Sequence, residues 1–180
     1  MKNFQWWLLW LLPCFLLTCQ QNAKQQQMQE KVSLWQGVTL SVPRISSINW
    51  NVADSCDLYF GHDYKIVYYL DGDCHACLEL LPKIDSVYQT IKTQHSVLLI
   101  YLHSADYERL ENTMNNDVKK LHIPLIYDKA NCFYKQNKLS LDPLFHCFLV
   151  DKDNKVVVAG SFLANRQMKE LYERVLKSQK

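Results

Sequence analysis

An apolar strand that breaks at a glycine turn and reopens as a helix bearing two cysteines narrows the folds open to this chain. Lys65-Ile66-Val67-Tyr68-Tyr69-Leu70 reads as a short strand and Asp71-Gly72-Asp73 as a tight turn. Cys74-His75-Ala76-Cys77-Leu78-Glu79-Leu80-Leu81-Pro82 then opens an amphipathic helix, with apolar residues at 77, 80, 81, 84, 87, 88 and 91. A cysteine at a helix start has unpaired backbone N–H groups and the positive end of the helix dipole to hold its thiolate. Cys74 takes that place, and Cys77 lies one turn on, on the same face. This suits thiol–disulfide exchange, with Cys74 attacking and the more buried Cys77 resolving a mixed disulfide.

The remainder alternates strand and helix. Ser96 to Leu102 is almost continuously apolar, as expected of a strand buried on both faces. Residues 104–121 read as a polar helix capped by Ser104, Ile123 to Tyr127 as a short strand, and residues 129–137 as a short helix. Leu144 to Val150 and Lys155 to Ser161 pair as a hairpin, and residues 165–178 form a closing helix. Val38, Leu40 and Val42 share a face before Pro43, so residues 35–60 read as an N-terminal hairpin. The class is α/β, a central mixed sheet flanked by helices.

The spacing C-x-x-C-x-x-x-x-P of Cys74, Cys77 and Pro82 resembles the active-site helix of the thioredoxin family, with its proline kink inside the helix. Phe148 to Val158 resembles the closing hairpin of membrane-tethered, TlpA-type redoxins. The resemblance implies a thioredoxin-like fold with an N-terminal β-hairpin extension over residues 35–180. It also implies dithiol/disulfide chemistry on protein substrates, reducing rather than oxidising, with electrons exchanged with a redox partner protein and no organic cofactor.

Three positions depart from that pattern. Asp73 precedes Cys74 where relatives usually carry Trp, and Tyr68 stands where thioredoxin has a buried carboxylate. Tyr68 reads as a core aromatic, so the Cys77 proton must pass to water or another group. Phe145 falls where relatives place a cis-proline, with Pro143 two residues early. A cis bond before Phe145 would cost about 3 kcal/mol, so trans is expected there. Phe145 and His146 are the candidates for the loop that faces a substrate. His75, when charged, favours the Cys74 thiolate, whereas Asp73 opposes it by like-charge repulsion unless it caps the helix.

The N-terminus bears on location. Lys2 and the apolar run Phe4 to Leu17 have the layout of a secretory signal. Leu16-Leu17-Thr18-Cys19 resembles a bacterial lipobox, which implies removal of residues 1–18 and a lipid on Cys19. Residues 19–34 then form a lipidated cysteine and a Gln-rich flexible tether with a reach of about 20 Å. The expected setting is a bacterial cell envelope, the domain lipid-anchored to a membrane and facing the periplasm or exterior.

Composition excludes other classes. A net charge of +2, with no basic patch among aromatics, argues against nucleic acid. Four glycines leave no phosphate-cradling loop and so no nucleotide cofactor. Beyond Cys14 and Cys19 there are Cys56, Cys74, Cys77, Cys132 and Cys147, an odd set of which at least one stays unbridged. Two alternatives remain open: a copper-handling protein using Cys74, Cys77 and His146, or a non-catalytic lipoprotein with a fixed Cys74–Cys77 staple.

Overall fold

The computed structural model describes residues 30–43, 61–116 and 121–178. The expected signal segment, Cys19 and the tether to residue 29 lie outside the described residues, as does Cys56. Residues 30–35 are helical and fall outside the compact unit formed by residues 36–180. Among the described residues no helix is long and apolar enough to cross a membrane.

Five strands build the sheet: β1 (Tyr64–Asp71), β2 (Ser96–His103), β3 (Leu125–Tyr127), β4 (Cys147–Asp151) and β5 (Val156–Ala159). They lie in the order β3-β2-β1-β4-β5, with β1 parallel to β2, β2 parallel to β3, and β4 antiparallel to both neighbours. The helices are α1 (His75–Leu78), α2 (Leu81–Ile91), α3 (Tyr107–Asn116), α4 (Cys132–Gln136) and α5 (Arg166–Lys177). This is the expected mixed sheet flanked by helices.

Strand alternation assigns the core. Ile66, Tyr68 and Leu70 of β1 share one face with Leu98, Ile100 and Leu102 of β2, and meet Ile84 and Tyr88 of α2 and Tyr172 and Leu176 of α5. On β2, Tyr101 takes the opposite parity and stacks on Phe133 of α4, centroids 4.7 Å apart and planes 10° from parallel. Strands β1 and β2 are buried over nearly their whole length, which is why both read as unbroken apolar runs.

Three local expectations change. The helix expected over 74–92 is two helices, broken at Glu79 and Leu80, and Pro82 sits in the first turn of α2 rather than inside a continuous helix. Proline has no N–H to donate and is favoured at a helix start, so a break costs less there than a mid-helix kink. Helix α3 starts at Tyr107, and its cap is Asp106, whose Oδ1 accepts the Arg109 N–H at 3.0 Å. The strand expected from Leu144 starts at Cys147, because Pro143–Phe145 turns as a 3-10 helix capped by Asp142. Residues 44–60 of the expected N-terminal hairpin lie outside the described residues; of the described part, Thr39 bridges antiparallel to Lys155 beside the β4–β5 turn.

Gly72 closes the turn after β1. Its N–H donates to the His103 carbonyl at 2.6 Å, and a Cβ there would stand 2.9 Å from that oxygen and 3.2 Å from Leu110. Backbone and a buried leucine cannot both give way. Gly72→Ala is therefore expected to lower stability by about 1–3 kcal/mol, read as a reduced urea midpoint with an unchanged m value.

Candidate active site

The end of β1 and the start of α1 bring the two cysteines to the C-terminal end of the central strand. Asp71 Oδ1 accepts the Asp73 N–H at 2.9 Å, and its carbonyl accepts the Cys74 N–H at 3.2 Å. This side-chain-closed turn reverses the chain within three residues and makes Cys74 the N-cap of α1, in extended conformation at φ −95° and ψ 104°. The Cys74 carbonyl then accepts the N–H groups of Cys77 at 2.9 Å and Leu78 at 3.2 Å. No side-chain hydrogen bond caps α1.

Cys74 and Cys77 are both free thiols, each half-buried, in a cleft of about 350 Å³. Tyr68, Tyr69, Asp71, Tyr134, Pro143 and His146 share that cleft, with Leu80 and Leu141 at its apolar rim. Leu80 is 37% and Leu141 91% exposed, so the rim offers apolar surface to solvent beside the sulfurs. The two thiols differ. Burial first, then the hydrogen bond to Cys74 and the nearby charges of Cys74 and Asp71, push the Cys77 thiol up to about 12. The Asp71 backbone N–H acts against this rise.

Asp73 is not the helix cap. Its Oδ1 accepts from the Ser104 hydroxyl at 2.6 Å and the Arg109 guanidinium at 2.6 Å, and its Oδ2 accepts the Ala105 N–H at 3.0 Å. The Ala105 amide, with the Ser104 hydroxyl and Arg109, holds its carboxyl below the usual range. The residue before Cys74 thus ties the cysteine turn to the β2–α3 loop. Ser104, expected as a helix cap, is the buried hinge of this latch. Nothing local in the sequence marks it, because Arg109 lies 36 positions from Asp73.

The other expected site residues separate. His75 is exposed and points along α1 to Glu79, with Nε2 3.3 Å from Oε1. Phe145 is buried at 2% exposure and does not line the cleft, whereas Pro143 does. The peptide bonds of the described residues are all trans. His146 reaches the cleft, but its Nε2–H donates to the Ser140 carbonyl at 2.7 Å, and its ring lies edge-on to Tyr69 and Tyr134. Burial lowers its pKa, against the raising effects of the Ser140 hydrogen bond, Asp142 and Asp71. Cys74, Cys77 and His146 line one cleft without forming a ligand set, and among the described residues no three His, Cys, Asp or Glu side chains are grouped to hold a metal.

Tyr68 sits beneath the pair as a core aromatic. Its hydroxyl donates to the Ser161 hydroxyl at 3.1 Å and its ring meets Phe162 edge-on. Burial, followed by Cys147, raises its pKa well above the ordinary tyrosine value. Cys147 is fully buried 3.5 Å from the Tyr172 hydroxyl, and burial pushes its thiol up to about 12. Asp71 is the carboxylate within the cleft, and sequence reading passed over it because its place in the turn looked purely structural.

No family model and no curated protein matches the sequence significantly. Solved structures do match. The thioredoxin domain of a thiol-disulfide oxidoreductase from Bacteroides vulgatus aligns at a TM-score of 0.56 and 19% identity, over 78% of this chain and 99% of its own. A thiol:disulfide interchange protein from a Bacteroides species aligns at 0.57 and 16% identity, over 81% of this chain and 93% of its own. Sheet order, helix placement and these superpositions together give the chain a thioredoxin-like fold.

Proposed function

We propose that this protein is a thiol-disulfide oxidoreductase of the cell envelope that acts on protein disulfides, with Cys74 as nucleophile and Cys77 as resolving thiol. The observation that carries the reading is the asymmetry of the pair. Cys74 caps a helix N-terminus with no side chain competing for its place, while Cys77 is held protonated by burial and by Cys74 itself. The likeness to two redox proteins of the same fold adds support.

In the reductive direction the Cys74 thiolate attacks one sulfur of a substrate disulfide. The substrate S–S bond breaks, the other substrate sulfur leaves as a thiolate, and a Cys74–substrate disulfide forms. The hydrogen bond and charge from Cys74 that held Cys77 protonated are then gone, so its thiol becomes easier to ionise. Asp71, which shares the cleft, accepts the proton directly or through water. The Cys77 thiolate attacks the Cys74 sulfur and expels the second substrate thiolate. The substrate has gained two electrons, and the protein holds a Cys74–Cys77 disulfide for a partner dithiol to reduce. The apolar rim at Leu80 and Leu141 suits a polypeptide substrate.

A Cys77→Ser variant is expected to accumulate a mixed disulfide with a disulfide-bonded test protein, visible by mass, and Cys74→Ser to form none. Full-length protein titrated in glutathione should exchange its pair reversibly; a pair still oxidised below about −300 mV would make it a structural staple instead. The lipid anchor is a separate part of the proposal, supported by the lipobox-like Leu16-Leu17-Thr18-Cys19. Cys19→Ala should abolish incorporation of labelled fatty acid and shift the protein out of the membrane fraction. Retention of the label in that variant would place the lipid elsewhere.

A further inference from the structure

We infer that Arg109 is a positioning residue for the nucleophile: by neutralising Asp73 it keeps that carboxylate from opposing the Cys74 thiolate. The inference rests on the reading of Cys74 as the attacking thiol. An aspartate one residue before a nucleophilic cysteine is unfavourable by itself, because ionising the cysteine sets two negative charges side by side. Here the carboxylate does not stand alone. The Arg109 Nη2 lies 2.6 Å from Asp73 Oδ1, while the Ser104 hydroxyl and Ala105 N–H hold the same carboxylate against the β2–α3 loop.

Among the described residues, Arg109 is the cation paired with this carboxylate. Asp71 accepts the Asp73 backbone N–H, and Asp106 caps α3, so the acids next to the latch add negative charge. Helix α3 fixes Arg109 on the side facing Asp73. Its own N–H is bound by the Asp106 cap, so the guanidinium reaches the turn from an anchored backbone. The guanidinium is more than half exposed, which makes the contribution modest and its removal harmless to the core.

The test is the rate at which Cys74 of the reduced full-length protein is alkylated by iodoacetamide at neutral pH and low salt, followed by mass. Four variants are compared: Arg109→Ala, Arg109→Lys, Asp73→Asn and the double variant Asp73→Asn/Arg109→Ala. Asparagine has one amide oxygen to accept the Ala105 N–H, and its NH2 can donate to the Ser104 hydroxyl, which has the Asp106 carbonyl as its own acceptor, so the variant removes the charge and keeps the latch contacts. Arg109→Ala is expected to slow alkylation about three- to tenfold, Arg109→Lys to restore most of the rate, and Asp73→Asn to match or exceed the native rate. The double variant should behave like Asp73→Asn. Unchanged alkylation in Arg109→Ala would overturn the inference. So would a double variant as slow as Arg109→Ala, which would make the latch purely structural. Failure of the exchange reading shows up separately, as absence of a trapped mixed disulfide in Cys77→Ser while the alkylation pattern stands.

Discussion

The register between β1 and β2 is the constraint from which the rest of the site follows. The two strands run parallel and end level, Asp71 opposite His103, so the chain must leave the sheet at that point. The Gly72 N–H to His103 carbonyl bond closes the exit, with no space left for a side chain. The turn then needs only Asp71 and Asp73 before Cys74 starts α1. A slip of one residue in β1 would exchange its two faces and carry the cysteines away from the cleft.

Electrostatics at the site is arranged in pairs rather than by isolated charges. Asp73 is answered by Arg109, and the Cys77 thiol is pushed up by burial and by its neighbour Cys74. Burial lowers the His146 pKa and its Nε2 is occupied by the Ser140 carbonyl, so this histidine forms part of the cleft wall. Burial pushes Tyr69, on the cleft wall, up to about 12.

The loop before β4 shows how a turn can replace an expected feature. Phe145 occupies the place suggested by alignment with relatives, yet the 3-10 turn Pro143–Phe145 sends its ring into the core and leaves Pro143 against the cleft. Asp142 accepting the Leu144 N–H starts that turn, and the His146 N–H to Pro143 carbonyl bond ends it. The same turn seats His146 between Tyr69 and Tyr134.

Much of the fold was legible in the linear pattern. Continuous apolar runs marked β1 and β2 because strands covered on both faces must be apolar throughout. Cys74 and Cys77 were legible because their spacing and the strand–turn–helix around them are local. Helix ends were less so: Pro82 and Asp106 set boundaries that periodicity alone misplaced by several residues. What only the tertiary structure decided is the company the cysteines keep. Arg109 reaches Asp73 across 36 residues, and Pro143 and His146 reach the cleft from a loop some 70 residues on. The sequence by itself determined the strands, the helix faces and the cysteine pair, since these depend on neighbours a few residues away. Charge balance and cleft walls depend on which loops the sheet brings together, and that is a property of the folded chain alone.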